Sequence, residues 1–390
     1  MEKKGVLCKY CGYRIFVRMN KNKIAIIGAS YLQLPLVMKA KELGIETHCF
    51  AWDKDAVCKE VADFFYPISI LEKEEILAKC KIIGINGIIT IATDMAMPTI
   101  SFVAQNLGLV SNSIESSILS TSKDKMRMKF QEKKILSPSF QQVKDYEDID
   151  LKSINFPLIV KPVDRSGSLG VTKVEKLGEL KEAVLKAIDF SFQKLCIVED
   201  FIEGVEVSVE SISWNGEHRI LAITDKITTG EPFFVELAHH QPSQLSLEVQ
   251  SKIKKTTLSV LDAVKIQFGA GHTELKITSD GRVFVIEVGG RMGGDFIGSH
   301  LVELSTTYDY IKAVIEVCLN CFELPGTVSN NAYSGVYFLS RNTERLAPYF
   351  EIENSFDYEK KILNEDLKYV QSSNDRSGYI IYKSDKRINI

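Results

Sequence analysis

The chain lacks any apolar run near the roughly 18 residues a membrane span needs, and its opening lacks the charged, apolar and cleavage-site order of a secretory leader. A soluble, cytoplasmic protein is the expectation. Basic excess is missing too: 48 Lys and Arg against 51 Asp and Glu leave a net charge of -3, so neither nucleic acid nor an anionic membrane is an expected partner. The eight cysteines suggest no disulfide framework, because most stand singly inside apolar segments as reduced core thiols do. Cys8-Lys-Tyr-Cys11 has the spacing of half a zinc knuckle, but no second half follows it. Cys318-Leu-Asn-Cys321 falls late in an expected helix and reads as structural.

What is present is an ordinary globular composition, 45% hydrophobic and 25% charged over 390 residues, enough for two or three domains with their own cores. Residues 1–19 read as an extension, since Met19 leads into a clean strand from Lys23 to Ile27. Strands are then expected at 46–51 and 87–92, with helices through Leu36 to Leu43, near 55–64, from Glu72 and over 98–107. That alternation predicts an α/β domain with a doubly wound parallel sheet over 20–122. Its first turn holds Gly28 but Ser30 and Gln33 where a dinucleotide fingerprint needs glycines, so a nicotinamide or flavin site is not expected. Ser30, Tyr31, Asp94 and Met95 stand at strand ends where such a sheet lends residues to a small-molecule pocket.

Beyond the basic helix opened by Ser122-Lys123-Asp124-Lys125, the pattern turns to α+β. Pro157 to Pro162 is a buried strand carrying one lysine, Lys161. The loop after it, Asp164 to Val171, is rich in Gly and Ser and can cradle phosphate oxygens with backbone N–H groups. It is no Walker sequence, because no Gly-Lys-Ser/Thr follows. Gly271 to Lys276 and Val285 to Arg291 flank Asp280-Gly281, a strong hairpin signal. Taking Asp280 and Gly281 as the two central turn residues places Glu274 directly opposite Glu287. Like charges so placed are destabilising, and with no Lys or Arg between them they suit a divalent cation bridging phosphates. His239 and His240, adjacent on a strand, must face opposite sides. At most one of them is expected to face a site.

The ordered set Lys125, Lys161, the Gly/Ser loop, Glu199-x-Phe-Ile-x-Gly-x-Glu206, Glu274 and Glu287-x-x-x-Arg291 resembles the ATP-grasp superfamily. It is most similar to the carboxylate–amine ligase branch that includes L-amino-acid ligases, related to biotin carboxylase and carbamoyl phosphate synthase. The resemblance covers roughly residues 20–340 and implies a pre-ATP-grasp domain over 20–122, an ATP-grasp domain over 123–328 with a small subdomain about 139–203, and a C-terminal α+β lobe over 329–390. It implies that Lys125 and Lys161 contact the α- and β-phosphates, and that the loop bearing Ser166, Gly167, Ser168 and Gly170 closes over them. Glu199, Phe201 and Ile202 would hold the adenine edge, Glu206 the ribose and Lys226 phosphate or substrate. Glu274 and Glu287 would bind Mg2+ or Mn2+, and Arg291 the substrate carboxylate and its acyl phosphate.

The implied activity is ATP-dependent activation of a carboxylate to an acyl phosphate, then condensation with an amine to give an amide, ADP and phosphate. The partners implied are small carboxylates and amines, and the assembly a homodimer. Activation of bicarbonate for a small-molecule acceptor, as in carboxylases, and ATP binding without catalysis are the alternatives. Where family members commonly carry an asparagine two residues after the second metal glutamate, this chain has Gly289, which leaves the number of metals open.

Overall fold

The computed structural model describes Gly5–Leu7, Arg14–Phe16 and residues 21–390. The Cys8/Cys11 pair lies outside the described residues. β1 (Gly5–Leu7) and β2 (Arg14–Phe16) form an antiparallel pair. The first domain then sets β3 (Lys23–Ile27), β4 (Glu46–Phe50), β5 (Phe64–Tyr66) and β6 (Gly87–Ile89) in one parallel sheet of order β5-β4-β3-β6. Its helices are α1 (Leu34–Glu42), α2 (Lys73–Ile83) and α3 (Met97–Leu107). Ile24 to Ile27 are wholly buried, as a parallel strand covered on both faces requires. Pro98 in the first turn of α3 and Gly108 at its end, φ 66°, mark the boundaries that their chemistry favours. The helix expected over 55–64 is absent: a four-residue 3-10 turn, Val57–Glu60, leads straight into β5.

α4 (Ile114–Leu119), capped by the Ser113 hydroxyl on Ser116 N–H at 3.1 Å, and α5 (Lys123–Glu132) carry the chain out of this domain. Next come β7 (Phe140–Val143), β8 (Leu158–Pro162), β9 (Thr172–Val174), α6 (Leu177–Phe190) and β10 (Cys196–Asp200). They make a four-stranded antiparallel sheet, β7-β10-β8-β9, backed by the apolar face of α6 at Leu180, Ala183, Val184 and Ala187.

β11 (Val205–Trp214), β12 (Glu217–Thr228), β13 (Glu236–Gln241), α7 (Leu247–Ala263), β14 (Gly269–Ile277) and β15 (Val283–Gly289) follow, then α8 (Val302–Thr306), α9 (Tyr310–Cys318), β16 (Tyr333–Leu339), α10 (Ala347–Glu351), β17 (Asp357–Ile362) and β18 (Gly378–Ser384). Their strands form one eight-stranded antiparallel sheet, β15-β14-β11-β12-β13-β16-β18-β17. The strands of the segment expected as a C-terminal α+β lobe continue this sheet, with β16 paired to β13 from Ala238↔Tyr337 to Gln241↔Ser334.

The hairpin of β14 and β15 differs from the two-residue turn expected. Thr278 N–H donates to Arg282 O at 3.0 Å and Gly281, φ 77°, donates to Thr278 O at 2.9 Å, so the loop is the three residues Ser279 to Gly281. That shifts the pairing by one, giving Ile277↔Val283 and Leu275↔Val285. A bulge at Ile286 shifts it back, and Glu274 stands opposite Glu287.

Candidate active site

A cleft lies between the two antiparallel sheets and the loop joining β8 to β9. At one end it is walled by Ile159, Val171, Phe201, Ile202 and Phe234. At the other stand Lys123, Glu274, Glu287 and Arg291. One end can hold a flat ring and the other a polyanion.

The charged residues arrive from eight elements and are paired. Lys161, at the end of β8, and Arg127, on α5, both hold the Glu199 carboxylate of β10, Arg127 Nε donating at 3.0 Å. Burial alone would raise the Glu199 carboxyl; Arg127 and Lys161 outweigh it and hold it below the usual carboxylate range. Desolvation lowers the Lys161 ammonium despite Glu199. Arg127 also donates to Ile286 O at 2.7 Å, which ties α5 to the bulge beside Glu287.

Glu274 and Glu287 are not bare. Lys123 Nζ donates to Glu287 at 2.8 Å and Lys226 Nζ to Glu274 at 2.9 Å. Lys226, on β12, also lies 2.7 Å from Glu206 and 3.6 Å from Glu236. Burial would lower its ammonium, but three carboxylates raise it well above normal. Burial likewise opposes ionisation of Glu274, and Lys226 with His272 drives its carboxyl well below the usual range. The facing carboxylates expected to be free of cations are thus each neutralised by a lysine from another element. That neutralisation removes the repulsion their register imposes.

Most of the sequence-based candidates converge here. Lys161, Ser166, Gly167, Ser168, Glu199, Phe201, Ile202, Glu206, Lys226, Glu274, Glu287 and Arg291 all line the cleft. Two do not. Lys125 points to solvent from α5, while Lys123, two residues earlier and buried, occupies the cleft. Two residues are about 200° apart on a helix, so only one of the pair can face inward. Gly170 packs away from the cleft: with φ 75°, a Cβ there would meet Pro162 Cγ at 2.9 Å and Phe190 Cβ at 3.0 Å. Neither His239 nor His240 lines the cleft. His240 bonds Tyr382 Oη at 2.9 Å, and His239 lies 3.8 Å from Asp295.

Lys276, His272 and Glu210 were not legible beforehand, whereas Asp94, after β6 and expected from its strand end to serve a pocket, grips Arg291 with both carboxylate oxygens, at 2.9 and 2.6 Å. The space it fills is the space Gly289 leaves, since a Cβ at 289 would lie 2.5 Å from Asp94 Oδ1. Lys276 follows Glu274 on the same face of β14 and sits 5.0 Å from the Phe201 ring and 5.8 Å from that of Phe234. Desolvation lowers its ammonium, with Glu206 opposing. His272, also on that face, donates from Nδ1 to Glu210 at 2.5 Å and from Nε2 to Glu274 at 3.3 Å. Burial disfavours its charge, but Glu210 overcomes this and pushes its pKa up to about 9. The period-2 pattern of strands marks His272 and Lys276 as neighbours of Glu274, yet only the sheet reveals Glu210.

Residues 154–299 match the family model for an ATP-grasp domain. The alanine–anticapsin ligase of Bacillus subtilis is 27% identical over 336 residues, which is 75% of this chain and 70% of that protein. Among solved structures, an L-amino acid ligase from Bacillus licheniformis superposes with a TM-score of 0.79 at 23% identity, covering 94% of each chain. A biotin carboxylase–β,γ-ATP complex from Campylobacter jejuni gives 0.72 at 18% identity, covering 94% of this chain and 88% of that one. No helix among the described residues is long and apolar enough to cross a membrane.

Proposed function

We propose, from the match of residues 154–299 to an ATP-grasp domain, that the chain is an ADP-forming carbon–nitrogen ligase joining a small carboxylate to an amine. The observation that carries this reading is the facing pair Glu274 and Glu287, each held by a lysine, in a cleft that is also lined by Phe201, Ile202 and Phe234. The ligase relative supports the carboxylate–amine reaction over nucleotide binding alone.

The donor set fits Mg2+. Two opposed carboxylates are hard oxygen ligands, and among the described residues no cluster of three or more His, Cys, Asp and Glu suits a metal, so the remaining ligands fall to phosphate oxygens and water. Mg2+ held by Glu274 and Glu287 would neutralise charge on the triphosphate. Lys123, Lys226 and Lys161 would add positive charge facing the phosphate oxygens. The loop of Ser166 to Ser168 supplies backbone donors and excludes water from the reacting end.

Arg291 orients the substrate carboxylate in line with the γ-phosphorus. A carboxylate oxygen attacks that phosphorus and ADP leaves. The amine then attacks the acyl carbon, the phosphate leaves with its C–O electron pair, and the amine's proton passes to solvent. The assembly is proposed to be a homodimer in the cytoplasm.

ADP release with hydroxylamine as the trap, run against a panel of carboxylates with and without amines, tests the proposal. Hydroxamate formed from one carboxylate class, and amine-dependent ADP release with it, is expected. Release that depends on bicarbonate alone assigns a carboxylase instead, and ATP binding without release under any acceptor removes the catalytic reading.

A further inference from the structure

Glu210 and His272 are absent from the chemistry above, yet they are built with unusual care. Glu210, on β11, is wholly buried and His272, on β14, is 5% exposed. They stand directly opposite one another in register. His272 bridges two carboxylates, Glu210 at 2.5 Å and Glu274 at 3.3 Å. The second oxygen of Glu210 accepts the Gly293 N–H at 3.0 Å. A Cβ at 293 would lie 2.6 Å from Glu210 Oε1 and 2.8 Å from His272 Nδ1, so the close contact requires glycine there.

A buried ionic group is weak evidence for stability, because an apolar pair of the same volume often serves as well. These two groups do something an apolar pair cannot. They join Glu274 at one end to the backbone of the 289–296 loop, which carries Arg291, at the other. We propose that Glu210 and His272 are positioning residues: His272 fixes the Glu274 carboxylate in its metal-binding orientation, and Glu210 fixes both the imidazole and the loop. Residues behind a ligand that orient it in this way commonly set metal affinity by one to two orders of magnitude. The inference rests on the metal role proposed for Glu274.

The test uses the full chain with Glu210→Gln and, separately, His272→Asn. Mn2+ is titrated into protein and ADP and followed by electron paramagnetic resonance, and metal-free ADP binding and the melting temperature are measured alongside. Both variants are expected to weaken Mn2+ binding roughly tenfold or more while metal-free ADP affinity stays unchanged. The isosteric Glu210→Gln, which keeps an acceptor for Gly293 N–H, guards against simple unfolding. Unchanged Mn2+ affinity in two folded variants overturns the positioning role. Absence of a Mn2+–ADP signal from the wild type overturns the metal role of Glu274 itself, and the inference falls with it.

Discussion

Asp94 and Arg291, beyond the ends of strands from different sheets and 197 positions apart, form a two-pronged ion pair at 2.9 and 2.6 Å. The pair joins the parallel-sheet domain to the loop after β15, and it exists because position 289 is glycine. A Cβ there would meet Asp94 Oδ1 at 2.5 Å. Gly289, read from the sequence as a missing ligand, is the residue that makes room for this contact.

A double-mutant cycle tests that dependence. Gly289→Ala alone is expected to cost about 1–3 kcal/mol, the usual range for overpacking a filled site. In an Asp94→Ala background the same methyl has space, and its cost should drop by more than half. Urea unfolding of the four proteins measures the coupling, and equal costs in both backgrounds would show that the clash is relieved elsewhere.

The lysine–carboxylate pairs predict that metal and nucleotide bind together. Lys123 and Lys226 are occupied by Glu287 and Glu274, so phosphate must break those pairs unless a cation takes the carboxylates. ATP affinity by calorimetry is expected to rise about 5- to 150-fold with Mg2+ over a chelator, the range of ordinary coupling energies. In Glu287→Ala that gain should vanish and ADP release should fall by about 10²-fold or more, with the fold retained by circular dichroism. Full release in this variant would refute the metal role of Glu287.

Lys276 predicts an effect on nucleotide binding without one on chemistry. It has no carboxylate within 4 Å among the described residues and lies over the Phe201 and Phe234 rings in the cleft. Lys276→Met is expected to raise the KM for ATP roughly three- to tenfold, about 1 kcal/mol, with kcat unchanged because the contact is the same in ground and transition states. A fall in kcat at constant KM would place Lys276 at the reacting end.

His240 predicts part of the acid sensitivity. Burial lowers its pKa to about 3, with Arg387 adding to the effect, whereas an unfolded histidine titrates near 6.5. Between those values the unfolded chain binds one more proton at this position, so stability falls as pH drops from about 6.5 toward 3. Unfolding midpoints at pH 7 and pH 5 should therefore differ more for the wild type than for His240→Gln. Equal differences would show that position 240 takes no part.

Fold class and much of the site were legible because they rest on local periodicity. Alternating strands and helices announced the parallel sheet, and Glu199, Glu274, Glu287 and Arg291 sit on or beside strands whose apolar pattern is unmistakable. The opposition of Glu274 and Glu287 came out right through two departures that cancel: the loop has one more residue than its Asp-Gly signal suggests, and Ile286 bulges to restore the register. Turn length and bulges depend on backbone fit against neighbours, which residue types only bias.

What the sequence determined alone was the alternation of faces along each element, since side-chain direction follows from backbone repeat. Tertiary structure decided which face became the site. Docking of α5 put Lys123 inward and Lys125 outward. Pairing of β11 with β14 brought Glu210 across 62 positions to His272, and packing of the two domains set Asp94 on Arg291. Each is a contact between distant segments, formed because a buried charge must find its partner in space, and chain order holds no measure of that distance.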